Sequence, residues 1–226
     1  MIPWVLLDSA DLPDGGALRL KQRGGEYSIM LGDNELMNSR LSGSEEALAS
    51  LACAKIAGCA APRLLIGGLG MGFTLRAALA CLGPQARITV AELVGQVIAW
   101  AQGPMAEIFR GCLADPRVRL VQADVAREIA GRQAWDAILL DVDNGPDGLT
   151  QLKNEGLYRP EGLRQAREAL KPGGVLAVWS AADNARFSQR LKTSGFTVEV
   201  AQVRASHNKK GARHTIWLAA RPNVAR

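Results

Sequence analysis

Histidine is almost missing from this chain of 226 residues: His207 and His214 stand against 27 lysines and arginines. The four cysteines, Cys53, Cys59, Cys81 and Cys112, show no CxxC spacing and lie far from either histidine in sequence. That donor set does not make a zinc site, and no metal is expected. No apolar run approaches the ~20 residues that would cross a bilayer as a helix, so no membrane partner is expected. The opening MIPWVLLDSADLPDG lacks a basic first segment and turns acidic after Leu7, which is unlike a secretory leader. A cytoplasmic chain with reduced thiols is the expectation. Aromatic residues are scarce at 5%. None interleaves the basic stretch RASHNKKGARH over 204–214, which carries much of the net charge of +5. Without aromatics that stretch is no stacking platform for single strands. Nucleic acid is not an expected partner, and the stretch reads as a solvated hairpin tip.

Core material is plentiful. Hydrophobic residues make up 48% of the chain and charged residues 22%, a globular composition that suits one α/β domain with a small appendage. The appendage is residues 1–43. Its segment GALRLKQRGGEYSIMLGDNELMNSRLSGS alternates in short runs broken by Gly-Gly and Gly-Asp-Asn, which predicts a β-hairpin element. Ser42 and Glu45 have the spacing of a capping box. They predict a helix from about Ser44 to Ala60, ended by Pro62.

Residues 44–226 read as a Rossmann-like nucleoside-binding catalytic domain. From Arg63 onward strand and helix patterns alternate, the signature of a parallel sheet with crossover helices. RLLIGG, RITVAEL, VRLVQAD and WDAILLD give four strands. Val94, Val97, Ile98 and Ala101 mark one face of the helix after the second. A helix through Leu163, Ala166 and Leu170 is expected to stop at KPGG, before a fifth strand, GVLAVWS. A helix over 183–194 then leads to GFTVEVAQV and ARHTIWLAA, a closing antiparallel pair joined by the basic stretch. The predicted fold is α/β: a doubly wound, mostly parallel seven-stranded sheet of the class I methyltransferase type, with a small N-terminal β element.

In such sheets ligands sit at the carboxyl ends of the strands, near the switch in strand order. The first strand runs into Gly67-Gly68-Leu69-Gly70-Met71-Gly72. Gly68, Gly70 and Gly72 form GxGxG, whereas a dinucleotide fingerprint is GxGxxG and wants a small residue where Phe73 stands. The second strand ends at Glu92, whose carboxylate can accept from ribose hydroxyls. Facing a ligand cleft, it is expected to support little of the core. The third ends at Asp124, placed for an adenine amino group, for capping the helix from Val125, or for both. The fourth ends in Asp141-Val142-Asp143-Asn144-Gly145-Pro146-Asp147. Three carboxylates on one strand end and its loop suit a cationic ligand, a proton acceptor, or both.

LLIGGLGMGFTLRAAL, the Glu92 strand, VRLVQADV, and ILLDVDNGP followed by LYRPEGL together resemble the spermidine synthases and their relatives, over roughly residues 27–203. The resemblance implies an N-terminal β element leading into the Rossmann-like fold of S-adenosylmethionine-dependent methyltransferases. It implies that Gly68, Gly70 and Gly72 line the nucleoside site, Glu92 holds the ribose and Asp124 faces the adenine. Asp141 matches the proton acceptor of that family, and Asp143 would anchor a distal ammonium. The implied activity is aminopropyl transfer from decarboxylated S-adenosylmethionine to a small-molecule amine, in a homodimer. The alternatives are methyl transfer from S-adenosylmethionine to an unknown acceptor and a non-catalytic nucleoside-binding module. The chain departs from the family pattern in three places. Gly70 or Met71 stands where the glycine loop carries Asp, Asn144 stands where the second active-site Asp falls, and SEEALASLACAKI lacks the Tyr-His-Glu signature.

Overall fold

An apolar run without a polar stripe has to be covered on both faces. The segment WDAILL is buried at every position and forms the central strand of a seven-stranded sheet. The computed structural model describes residues 2–12, 15–142, 145–146, 155–206 and 211–223. Four strands come first: β1 (Val5–Asp11), β2 (Ala17–Arg23), β3 (Glu26–Leu31) and β4 (Asn34–Asn38), paired in that order as an antiparallel sheet. Helix α1 (Gly43–Lys55) leads into β5 (Arg63–Gly67), α2 (Phe73–Cys81), β6 (Arg87–Glu92) and α3 (Gly95–Gln102). Next come α4 (Ala106–Phe109), β7 (Val118–Gln122), α5 (Val125–Ile129) and β8 (Trp135–Leu140). The chain closes with α6 (Glu155–Tyr158), α7 (Pro160–Ala169), β9 (Leu170–Ser180), α8 (Ala185–Thr193), β10 (Thr197–Arg204) and β11 (Arg213–Ala220).

The large sheet has the order β10-β11-β9-β8-β5-β6-β7. Its strands from β9 to β7 are parallel, and β11 runs antiparallel to both β9 and β10. This is the doubly wound, mostly parallel sheet with a closing antiparallel pair that the strand patterns predict. The chain winds outward from β5 to β6 and β7, then returns to the other side of β5 as β8. The switch point therefore lies between the ends of β5 and β8.

Local chemistry sets the helix boundaries. Pro160 opens α7, where its missing N–H costs nothing. Asn184 caps α8 by accepting the Phe187 N–H at 2.8 Å. Two expectations change. Helix α1 ends at Lys55 rather than Ala60, because Ile56 N–H bonds Cys53 O, Cys59 N–H bonds Ile56 O, and these turns bury Ile56. KPGG does not stop the chain before a strand; it lies inside β9. Leu170 pairs with Trp135 and Val175 with Ala137, so the extra residues bulge between them. A side chain on Gly174 would come within 3.0 Å of Asp136 O, which is why the bulge takes glycine.

One face of the large sheet shares its core with the small one. Leu20 of β2 and Ile29 of β3 are fully buried in the same cluster as Leu48 of α1 and Leu64 of β5. The opposite face is filled by Leu163, Phe187, Leu191 and Trp217. The four cysteines form no disulfide, and burial pushes the thiols of Cys53 and Cys112 up to about 12 and about 11. No helix among the described residues is long and apolar enough to cross a membrane.

Because the two sheets share one core, damage in the small sheet is felt by the whole chain. Ile29→Ala should cost about 2–5 kcal/mol and lower the melting temperature by roughly 5–15 °C, in a single transition seen alike by calorimetry and circular dichroism. Separate melting of the small sheet would contradict a shared core.

Candidate active site

The ends of β8, β5 and β6 are laced together by the backbone. Asp141 N–H donates to Gly67 O at 3.0 Å, and Gly68 N–H donates to Ala91 O at 2.9 Å. Gly68 has φ +87, and a side chain there would lie 2.3 Å from Asp141 O, so only glycine fits. Gly70, next along the turn, faces the sulfur of Met37. Gly72 does a different job. With φ +74 it is the N-cap residue of α2, and its missing side chain makes room for the Phe109 ring. Of the three glycines singled out by sequence, Gly68 and Gly70 border the open cleft, while Gly72 faces the core.

The cleft has two adjoining chambers, both bordered by Leu36 and Met37 of β4. The larger, about 780 Å³, is bordered by Gly68, Glu92, Asp124 and Asp141, with apolar walls from Leu18, Leu31 and Val97. The smaller, about 670 Å³, is bordered by Glu45, Phe73, Asp141 and Trp179. Gly70 and Asp141 border both. Asp143, Asn144 and Asp147 lie outside the described residues.

Glu92 is buried and bonded to the backbone of the glycine loop and of the turn after β6. Its two oxygens accept Leu69 N–H and Val94 N–H, each at 2.9 Å. Burial pushes its carboxyl above the ordinary value, against the pull of those N–H donors. The expectation that it supports little of the core is corrected: Glu92 ties the glycine loop to the end of β6. Asp124 caps α5 through Ala126 N–H at 2.9 Å while bordering the larger chamber. Its two readings are compatible, because a carboxylate has about four acceptor sites.

Asp141 is partly buried, and Thr74 Oγ1–H donates to it at 2.7 Å. Exclusion of water is the largest influence on its carboxyl. The nearby Glu45 charge adds to it, the Thr74 bond opposes it, and the carboxyl is pushed up to about 7. Burial also raises the Glu45 carboxyl; the Ser44 hydroxyl, donating to it at 2.6 Å, opposes this, and the Glu46 charge adds to the rise. Ser44 Oγ also lies 2.8 Å from His214 Nδ1, and the His214 ring packs edge-on against Trp179 with centroids 4.7 Å apart. Burial holds His214 below its usual range.

Sequence reasoning assigned Glu45 to a capping box and missed this arrangement. Ser42 does occupy the N-cap position, but without a side-chain cap bond, and Glu45 turns into the cleft instead. A signal was available. The buried residues Leu48, Ala49, Ala52 and Cys53 of α1 extend back by one turn to Ser44 and Glu45, the helical period placing both on the inward face. Thr74, Met37 and Trp179 carried no comparable mark.

No protein-family model matches the chain. A polyamine aminopropyltransferase from a Synechococcus species is 30% identical over 118 residues, covering 51% of this chain and 36% of that relative. Another from Nitrosomonas europaea is 36% identical over 94 residues, covering 41% of this chain and 27% of the relative. The matched stretch thus spans about a third of the length of these curated relatives. Over 97% of its length the chain superposes on the spermidine synthase of Thermotoga maritima, with a TM-score of 0.73, 18% identity and 73% of that chain covered. The chain is spermidine synthase-like in fold. A spermidine synthase in complex with the transition state analogue AdoDATO superposes equally far, at TM-score 0.72 and 18% identity, covering 97% of this chain and 73% of that one. Within this spermidine synthase-like fold the cleft at the β5–β8 switch point is walled on one side by the N-terminal sheet.

The folded protein raises the Asp141 carboxyl from 3.8 to about 7. The stability linked to its proton is therefore fully present below about pH 4 and is lost as the pH rises through about 7. Melting temperature should fall between about pH 4 and pH 7 in the native sequence, and fall less in Asp141→Asn. Equal slopes in the two proteins would mean that Asp141 ionises as an ordinary carboxylate.

Proposed function

We propose that the chain is a spermidine synthase-like transferase that moves the aminopropyl group of decarboxylated S-adenosylmethionine to a small-molecule amine. The charge of the cleft carries this reading. Among the described residues every ionisable side chain bordering it is a carboxylate: Glu45, Glu92, Asp124 and Asp141. Decarboxylated donor brings a sulfonium and an ammonium and meets complementary charge throughout. A methyl donor also brings an α-carboxylate, which calls for a cationic or amide partner near the glycine loop. The curated relatives named for polyamine aminopropyl transfer support the same choice.

In this reading the adenosine occupies the larger chamber. Glu92 and Asp124 retain acceptor capacity beyond their backbone bonds for the ribose hydroxyls and the adenine amino group. The sulfonium sits at the junction beside Gly70 and Asp141, and the acceptor amine enters the chamber of Glu45 and Trp179. An alkyl ammonium has a pKa of roughly 10, so the nucleophile must first lose a proton, and Asp141 takes it. The freed nitrogen attacks the carbon next to sulfur. The C–S bond breaks, its electron pair returns to sulfur, and neutral 5′-methylthioadenosine is left. Asp143 is the proposed anchor for a distal ammonium of the acceptor.

Thermal shift with 5′-methylthioadenosine beside S-adenosylhomocysteine tests the reading. At about a hundredfold excess over Kd the product nucleoside should stabilise by about 2.7 kcal/mol, a shift of roughly 5–10 °C. Asp141→Asn should keep this shift while turnover with an amine falls by roughly 10²–10⁴-fold. A preference for S-adenosylhomocysteine would favour methyl transfer, and no shift with either nucleoside would remove the nucleoside site.

The same reading places the protein in the cytoplasm as a homodimer, paired along β1. That strand is an edge of the small sheet, and Ile2, Val5 and Leu6 near it are 64%, 55% and 54% exposed. An uncovered apolar edge strand is a template for pairing. Light scattering should give a dimer for the native sequence and a monomer for Leu6→Lys; a native monomer would sink this arrangement.

A further inference from the structure

A proton that reaches Asp141 has to leave before the next acceptor can be deprotonated, and Asp141 sits at the base of a cleft roofed by the small sheet. We propose that Glu45, Ser44 and His214 form the path by which this proton leaves. Glu45 and Asp141 border the same chamber, and the charge of Glu45 acts on Asp141, so a proton released by Asp141 crosses that chamber to Glu45. Ser44 is fully buried, with its oxygen 2.6 Å from Glu45 Oε2 and 2.8 Å from His214 Nδ1.

A hydroxyl carries one hydrogen and two lone pairs, so this triplet has two complementary arrangements. In the loaded one, protonated Glu45 donates to Ser44 Oγ, and Ser44 O–H donates to His214 Nδ1, the imidazole carrying its own hydrogen on Nε2. Glu45 passes its proton to Ser44 as Ser44 passes its own to Nδ1, giving an imidazolium. The imidazolium then loses the Nε2 proton to water. What remains is ionised Glu45 accepting from Ser44 O–H, and Ser44 accepting from His214 Nδ1–H. One proton has entered at Glu45 and one has left at Nε2 with no heavy atom displaced; before the next passage the imidazole returns to the Nε2–H tautomer by proton exchange with water, and the Ser44 O–H turns back to Nδ1. Burial lowers the basicity of His214, which favours release over storage. Its ring is held edge-on by Trp179, itself a wall of the chamber. The other charges nearby are Glu46, which acts on Glu45, and Arg204 and Arg213, paired with each other next to His214 in the hairpin register. This role also accounts for a serine and a glutamate facing inward on α1, at positions where an apolar pair would pack more simply.

The path rests on the transfer reading for the source of its proton, so the test has one arm that needs turnover and one that does not. In the first, Ser44→Ala and His214→Gln should lower the multiple-turnover rate by about tenfold or more while the first turnover stays within about twofold. Added imidazole should restore the rate. Unchanged multiple turnover, or first and later turnovers falling together with melting temperature, would overturn the path. In the second, nitrogen NMR of the His214 ring should show both nitrogens following the titration of the carboxyl pair in the native sequence, and losing that response in Ser44→Ala. If no amine turns over but the coupled titration is seen, the transfer reading falls and the path stands. If the coupling is missing, the path falls whatever the turnover.

Discussion

Gly68 and the carbonyl of Asp141 approach so closely that a methyl group on the glycine would lie 2.3 Å from the oxygen. That closeness draws the ends of β5 and β8 together and fixes where Asp141 begins its loop. It brings the carboxyl under the Thr74 hydroxyl of α2 and opposite Glu45 of α1. The elements that converge there come from distant parts of the chain, and each is held by its own backbone geometry. Glu92 performs the matching task on the other side of the loop, clasping Leu69 N–H and Val94 N–H. The floor of the cleft is therefore rigid before any ligand arrives, which is the condition for a carboxylate to act at a defined atom.

The small sheet supplies what the floor lacks, a low-dielectric roof. Leu18, Leu31, Leu36 and Met37 cover the strand ends, and removal of water is the largest influence on the Asp141, Glu45 and Glu92 carboxyls. Three acids in one cleft would ordinarily repel one another into full hydration. Here apolar walls and a few fixed donors hold them, and each carboxyl is pushed above its ordinary value, Asp141 up to about 7. A carboxyl tuned this way changes its protonation state near neutral pH.

Much of this was legible in the sequence. The strands of the large sheet announce themselves because fully buried strands must be continuous apolar runs, and their last residues fall at the ligand edge by topology alone. Gly68, Glu92, Asp124 and Asp141 were reached by that rule, and all four border the cleft. Glu45 was not, because two physical demands share one spacing: a carboxylate three residues after a serine can cap a helix or face its interior. Only the burial of Leu48, Ala49 and Ala52 on the same face separates them. KPGG misled for a related reason. Glycine and proline mark departures from regular backbone, but a bulge inside β9 and a turn before it make the same demand. Glu92 does border the cleft, and its mechanical role was overlooked, since a carboxylate that accepts from nearby backbone looks in sequence like one that awaits a ligand.

Both chambers are bordered by Met37, whose sulfur lies against Gly70. A thioether on an unbranched chain with three rotatable bonds is among the most deformable of apolar groups, whereas the walls on either side are strands and a helix sharing one core. A swing of that side chain would take space from one chamber and give it to the other. Such a side chain would act as a sliding bulkhead in a fixed hull, its swing costing no movement of the backbone.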